Sequence, residues 1–316
     1  MITRRGALAG AGLLLGTGEV RAQAYPNRAV RVIVPYAPGG ADTYIRPLMG
    51  PISRALGQSV VVDTVVGGGG AVGANRVRTS PPDGYTLLFA GTGALTAAPR
   101  LQNLGYTAAD FAPIANLVSI PFVLAARRGA SFNDFTGFLA AARAKPEGLS
   151  YGSTGVGGTP HLIMEQLSKV AGIKMLHVPY SGVATASVAL LAGDIDLVMG
   201  APSFIMPLLD RGVVPLVQTG ARRMTAISAV PTFRESGVDL EMVTRFGFVA
   251  PNGTDTAILD RWSSLILEGG ADPGYVQAMQ RNYNEVELLD RARFAAFLTE
   301  EDAATERMLR ELNLRG

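Results

Sequence analysis

Two short stretches, "VPYAPGGADT" and "YGSTGVGGTPH", share one layout: an apolar run, small residues with a polar group among them, then an amphipathic segment. Glycines strip the backbone so that a ligand can touch its N–H groups. The first N–H groups of a helix are unpaired and favour an anion. In the first stretch the candidates are Tyr36, Ala37, Pro38, Gly39 and Gly40, with Asp42 at the mouth of the following segment. Asp42 is either an N-cap serving its own helix or a ligand contact. In the second they are Ser153, Thr154, Gly155, Gly158 and Thr159. Thr159 suits an N-cap and Pro160 the first helical position. The N–H groups of Gly155–Thr159 would then point at a bound group. A plain turn and a capped helix is the alternative for either stretch.

Other constellations fit their usual chemistry poorly. Gly68-x-Gly70-x-x-Gly73 follows a β-branched run, as in a dinucleotide-binding turn. The acidic residue expected about 20 positions on to hold a ribose is missing, since 87–98 has no carboxylate. No lysine follows to make a phosphate loop, so a turn that packs helix closely on sheet is the better reading. His161 and His177 could belong to a nucleophilic triad, but no Gly-x-Ser-x-Gly elbow is present. His161 reads as a polar support near the second stretch, His177 as a packed or cleft-edge residue. Asp194 and Asp196 form a turn into a strand rather than a metal pair, and Trp262 falls on an apolar helix face.

The elements that position these residues repeat one order: β-branched run, Gly/Pro turn, amphipathic helix. Strands are expected at 30–35, 60–65, 86–90, 122–126, 149–152, 175–178, 195–199, 214–219 and 246–250. Helices are expected at 42–56, 71–79, 135–144, 159–171, 183–191 and 203–209, and the chain closes mostly helical over 254–267, 273–282 and 291–312. Such alternation builds mostly parallel sheets flanked by helices, with ligand loops at one sheet edge. Two stretches break it, 111–122 and 219–246. Read as crossings, they divide the chain into one lobe of 25–115 plus 245–316 and another of 116–244. That is a two-lobed α/β clamshell.

A length of 316 residues suits two such lobes. Cysteine is absent, which excludes disulfides, thiolate metal sites and a cysteine nucleophile, and two histidines leave little for a metal. No cofactor site is expected. Residues 1–24 read as an export signal: basic Arg4 and Arg5, an apolar run from Ala7 to Leu15, and cleavage after Ala22-Gln23-Ala24. The arginine pair fits the twin-arginine route, with an ordinary Sec signal as the alternative. Three arginines and one glutamate leave with this leader, so a chain of formal charge +2 becomes neutral. Neutrality gives no electrostatic ground for nucleic-acid binding. The mature protein is expected to be a periplasmic monomer.

In chain order, "YPNRAVRVIVPYAPGG", "LGQSVVVD", "GGGGAVGANRV", "PPDGYTLLFAGTG", "FAPIANLV", "LSYGSTGVGGTPH", "HVPYSG", "GDIDLVMGAPS", "TGARR", "VPTFRESG" and "FGFVAPNGT" cover nearly the whole mature chain. Together they resemble the Bug (TctC-like) extracytoplasmic solute receptors of tripartite tricarboxylate transporters. The resemblance implies a Venus-flytrap periplasmic binding fold without catalysis. It also implies a carboxylate-bearing metabolite held between the lobes by backbone N–H groups of the two stretches, and membrane permease subunits as partners. Matching cleft positions are Thr92, Tyr180 and the turn Ala201 to Ser203. Two departures stand out. One residue rather than two separates Gly40 from Asp42, and "VMGAPS" lacks the Asp or Asn found in many members at Gly200 and Ala201. The expected ligand is therefore a carboxylate without an amino group, apolar or aromatic at its far end, near Tyr36, Tyr44 and Phe204. Rival readings are a periplasmic sensor subunit, an exported hydrolase or isomerase, and the effector lobe of a regulator. The leader and the lack of a DNA-binding module oppose the last.

Overall fold

The computed structural model describes residues 25–314. The expected leader, with its cleavage site after Ala24, lies outside the described residues. The strands are β1 (Val30–Val34), β2 (Val60–Thr64), β3 (Thr86–Gly91), β4 (Phe111–Pro121), β5 (Val123–Ala126), β6 (Ser150–Ser153), β7 (Leu176–Pro179), β8 (Leu197–Gly200), β9 (Val214–Gln218), β10 (Val243–Pro251) and β11 (Glu285–Leu289). They form a six-stranded sheet in the order β11-β4-β10-β3-β1-β2 and a five-stranded sheet in the order β7-β6-β8-β5-β9.

Both sheets are mixed. β2–β1–β3 and β7–β6–β8 pair in parallel, as the strand–helix alternation requires. The crossing strands pair antiparallel: β4 with β10 in the first sheet, β5 with β8 and β9 in the second. The reason is topological, because one crossing leaves the first sheet and the other returns to it. At the crossing the Thr219 N–H donates to the Phe122 carbonyl at 3.0 Å, and the Phe122 N–H donates to Thr219 Oγ1 at 2.9 Å.

Two strands differ from expectation. β4 was expected to be an irregular crossing because of Pro113 and Pro121, yet it runs unbroken for 11 residues. Pro113 is tolerated because β11 reaches β4 only between Asn116 and Ser119, and because β10 shifts register beside it. β11 falls in the gap, left without an element, between the helices expected at 273–282 and 291–312. The Asn116 side chain donates to the Glu287 carbonyl at 2.6 Å, and Arg245 clamps the Glu287 carboxylate through two 2.8 Å bonds. The helix expected at 203–209 is a short α-turn, Pro202–Ile205, followed by a 3-10 helix, Met206–Arg211. Pro207 has no N–H to continue the α ladder.

Each sheet buries its own apolar clusters. Leu48, Ile52, Phe248 and Trp262 pack on one face of the first, Phe138, Ile163 and Phe233 on one face of the second. A third link joins the lobes beside the two crossings. The helix Arg291–Glu311 packs Phe294 and Leu298 on the first sheet. Its last turns bring Leu309 against Ala97 and against Leu162 of the other lobe. There Lys169 Nζ donates to the Glu311 carbonyl at 2.9 Å. Among the described residues no helix is long and apolar enough to cross a membrane.

Candidate functional site

β1 ends at the first sheet's edge and feeds the helix Asp42–Leu56 through Pro35 to Ala41. Gly39 has φ +87°, a conformation that side chains other than glycine's resist. The turn is locked by Asp42. Its Oδ1 accepts the Gly39 N–H at 2.8 Å and its Oδ2 accepts Arg46 Nε at 2.8 Å. This corrects two expectations. Asp42 is not the N-cap, which is Ala41 with no side-chain bond; it is the first helical residue. And the Gly39 N–H, expected to face a ligand, is consumed by Asp42, which is 3% exposed. The aspartate folds back on its own loop.

The second loop joins β6 to the helix Thr159–Ala171. The helix is capped by Gly158 without a side-chain bond, so Thr159 is its first residue and not its N-cap. Three of the N–H groups expected to face the cleft are used inside the loop. Gly155 donates to Ser153 Oγ at 3.2 Å, Gly157 to His161 Nδ1 at 3.3 Å, and Gly158 to the Gly155 carbonyl at 3.3 Å.

Between the lobes these loops enclose a cavity of about 550 Å³. Tyr36, Ala37, Pro38 and Gly40 line it from the first lobe. Thr154, Gly155, Gly158, Thr159, Tyr180 and Ala201 line it from the second. The other six candidates stand behind the wall. Gly39 and Asp42 hold each other, and Thr92 is buried while its N–H ties it to the Arg245 carbonyl at 2.9 Å. Ser153 and His161 brace the second loop from below. Ser203 hydrogen-bonds the Tyr44 side chain across the lobes.

A third wall went unread in the sequence. Gly67 to Gly70 line the cavity, and Gln102 beside them donates to the carbonyls of Gly68 at 3.4 Å and Val156 at 3.5 Å, one in each lobe. The expected packing role holds for Gly73, whose Cβ would fall 2.6 Å from Pro35 Cβ and 2.9 Å from the Val65 carbonyl. Phe246 and Thr244 also line the floor. They come from β10, about 200 residues after the first loop, and the antiparallel pairing of β10 with β3 and β4 places them there.

Beneath the second loop lies a partly buried polar stack. His177 Nε2 is 2.7 Å from Ser153 Oγ, and its ring lies between those of Tyr151 and His161 at 4.9 and 4.3 Å. Tyr151 Oη donates to Glu165 Oε1 at 2.8 Å. Ser153 is fully buried and off the cavity wall, so its contact with His177 supports the loop. Among the described residues no group of three or more His, Cys, Asp or Glu could hold a metal. Burial pushes both histidines down to about 4, His177 also through its neighbour His161. Between about pH 6.5 and pH 4 the unfolded chain takes up protons that the folded pair refuses, so this pair makes stability fall as pH falls through that window. A His161→Gln, His177→Gln double variant should show a flatter loss of Tm from pH 6.5 to 4 than wild type. Superimposable slopes would remove the pair from the pH dependence.

Comparison with known proteins adds identity to this geometry. A family model described as "Tripartite tricarboxylate transporter family receptor" matches residues 45–314. The protein of the tcbD-tcbE intergenic region of Pseudomonas sp. (strain P51) is 34% identical, over 89% of this chain and 86% of its own. The structure of the periplasmic binding protein BugD superposes with a TM-score of 0.84 at 28% identity, covering 92% of this chain and 99% of the other. MatC from Rhodopseudomonas palustris, solved with bound malate, superposes with a TM-score of 0.84 at 27% identity, covering 90% of this chain and 100% of the other.

Proposed function

The chain belongs to the tripartite tricarboxylate transporter receptor family, whose Bug/TctC-type members are solute-binding receptors rather than enzymes, and we propose that it captures a small organic carboxylate between its lobes in the periplasm and hands it to the membrane permease subunits of a tripartite-type transporter. One observation carries the reading. The cavity is built half from each lobe, with a strand–glycine loop–helix junction on either side. A carboxylate bridging the open donors of both junctions favours the closed form, because neither lobe alone satisfies it. The neutral mature chain suits recognition by backbone dipoles, which needs no net charge.

Tyr36, Gly40, Thr154, Gly155 and Thr159 are the residues we assign to ligand contact. Gly39, Asp42, Ser153 and His161 hold the two loops in shape. Titration calorimetry of the mature chain against carboxylates and their matched primary amides tests this. Carboxylates should bind and their amides should not, and the bound form should be more compact by small-angle scattering. Equal binding of acid and amide would sink the reading. For delivery, cells that keep the permease genes but lack this chain should lose uptake of the bound ligand.

A further inference from the structure

The turn after β8 reaches out of its own lobe. It is firmly rooted there. β8 pairs with β5 on one side and β6 on the other, and Ile205 is fully buried in that lobe's core. Gly200 leaves the root no slack, since a Cβ on it would stand 2.7 Å from Val183 Cγ1. Ala201 and Phe204 nevertheless pack into an apolar cluster whose other described members belong to the first sheet and the segments packed on it.

The receiving side is fixed as well. Tyr44 is buried, its carbonyl accepts Tyr275 Oη at 2.9 Å, and its ring meets Phe246 edge-on at 5.3 Å. Ser203 hydrogen-bonds the Tyr44 side chain, and Phe204 Cζ lies 4.0 Å from where a Cβ on Gly40 would stand. Tyr44, Gly40, Ala201 and Phe204 line the cavity, whereas Ser203 does not. Ser203 therefore acts on the cleft through Tyr44 and not on a bound solute. Where Gly67 to Gly70 face Val156, by contrast, the lobes share the exposed Gln102 bonds at 3.4 and 3.5 Å, too long to contribute much.

We infer that Ser203 and Tyr44, with Phe204 seated over Gly40, form a latch that holds the lobes together independently of any bound solute. The inference rests on the two-lobed receptor reading and adds what sets the balance between open and closed forms of the free chain. Parting the lobes breaks the hydroxyl pair and returns the apolar turn to water. Where capture needs the closed form, apparent affinity scales with the fraction of free chain already closed. Ser203 is thus a positioning residue, which tunes affinity and dwell time without touching the solute.

The experiment measures the lobe separation directly. The chain has no cysteine, so Val72→Cys and Val188→Cys take spin labels at those two sites alone. Both positions are more than half exposed, on helices that start at the cavity wall, one in each lobe. Pulsed dipolar spectroscopy of the mature chain without solute should resolve a closed population. Ser203→Ala and Tyr44→Phe should each lower the closed-to-open ratio about fivefold, as loss of one hydrogen bond implies. The double variant should lose no more than either single one, because both remove the same bond. Ser203→Thr keeps the hydroxyl and should stay within about twofold of wild type. Every Tm should stay within about 2 °C, since neither lobe's own core is altered. Of malate, adipate and benzoate, those that the wild-type chain binds should leave the Ser203→Ala chain about fivefold faster. A wild-type chain found wholly open, unchanged ratios in both single variants, or a double-variant loss equal to the product of the two overturns the latch and leaves the receptor reading standing. Failure of every carboxylate in the acid–amide series overturns the receptor reading, whereas the label distances, read without solute, judge the latch on their own.

Discussion

Gly155→Asp will cost at least about 100-fold in carboxylate affinity, while Gly155→Asn will cost less than about tenfold. The pair isolates charge from shape. Gly155 lines the cavity with φ +102°, so both variants carry the same unfavourable backbone conformation. Neither meets a steric wall, since the nearest heavy atom to a Cβ there is the Tyr180 carbonyl oxygen at 3.8 Å. Aspartate alone adds a negative charge beside the bound anion. Two like charges about 5 Å apart at an effective dielectric near 20 repel by about 3 kcal/mol, roughly two orders of magnitude in affinity. The equivalent change at Gly39, which looks just as damaging in the sequence, should act mainly through the fold. Gly39 is off the wall, and although a Cβ there meets nothing, its φ of +87° strains any side chain and with it the turn that Asp42 locks. Calorimetry on both Gly155 variants, with circular dichroism to confirm folding, gives the answer. Aspartate and asparagine variants of equal affinity would mean that Gly155 is not beside the ligand's charge.

The contrast between these two glycines shows what was legible before the structure. Strand–turn–helix punctuation was legible, because local chemistry sets it. The helix Asp42–Leu56 ends at Gly57 and Thr159–Ala171 ends at Gly172, both left-handed caps, and Phe135–Ala144 starts on Asp134, which accepts the Gly137 N–H. Both strand–glycine loop–helix junctions that line the cavity were legible for the same reason. Their wiring was not. Whether the Gly39 N–H is left open or is taken by Asp42 depends on the backbone geometry of the turn, which sequence pattern does not carry. The strand β4 hid behind its prolines, and β11, whose Glu-Val-Glu-Leu-Leu alternates as a strand does, was passed over because it is only five residues between two helices. They exist because non-local partners, β10 and Arg245, hold them. The wall of Gly67 to Gly70 was visible as a turn. Its place in the cleft was not, because that depends on the other lobe closing against it through Gln102 and Val156.

The aromatic floor depends on the same non-local pairing, and its weakest point is Gly247, next to Phe246 on β10. Gly247→Ala should be among the most destabilising single substitutions in the chain. A Cβ there would stand 2.4 Å from Phe294 Cζ and 2.7 Å from the Ala115 carbonyl oxygen. Phe294 is fully buried beneath the helix Arg291–Glu311, so its ring has little room to retreat. The carbonyl belongs to β4, the strand paired with β10 along the crossing, and it moves only if the sheet moves. Overpacking of a dense core costs typically about 1–3 kcal/mol where side chains can shift, and more where backbone is the obstacle. An expected loss of about 3 kcal/mol lowers Tm by roughly 5 °C, at about 2.1 cal/mol/K of unfolding entropy per residue. Adding Phe294→Leu should recover part of the loss but not all, because the clash with the carbonyl oxygen persists. Full recovery would assign the strain to the ring alone. A Gly247→Ala chain melting within about 1 °C of wild type would mean that the crossing strand is far more compliant than its packing implies.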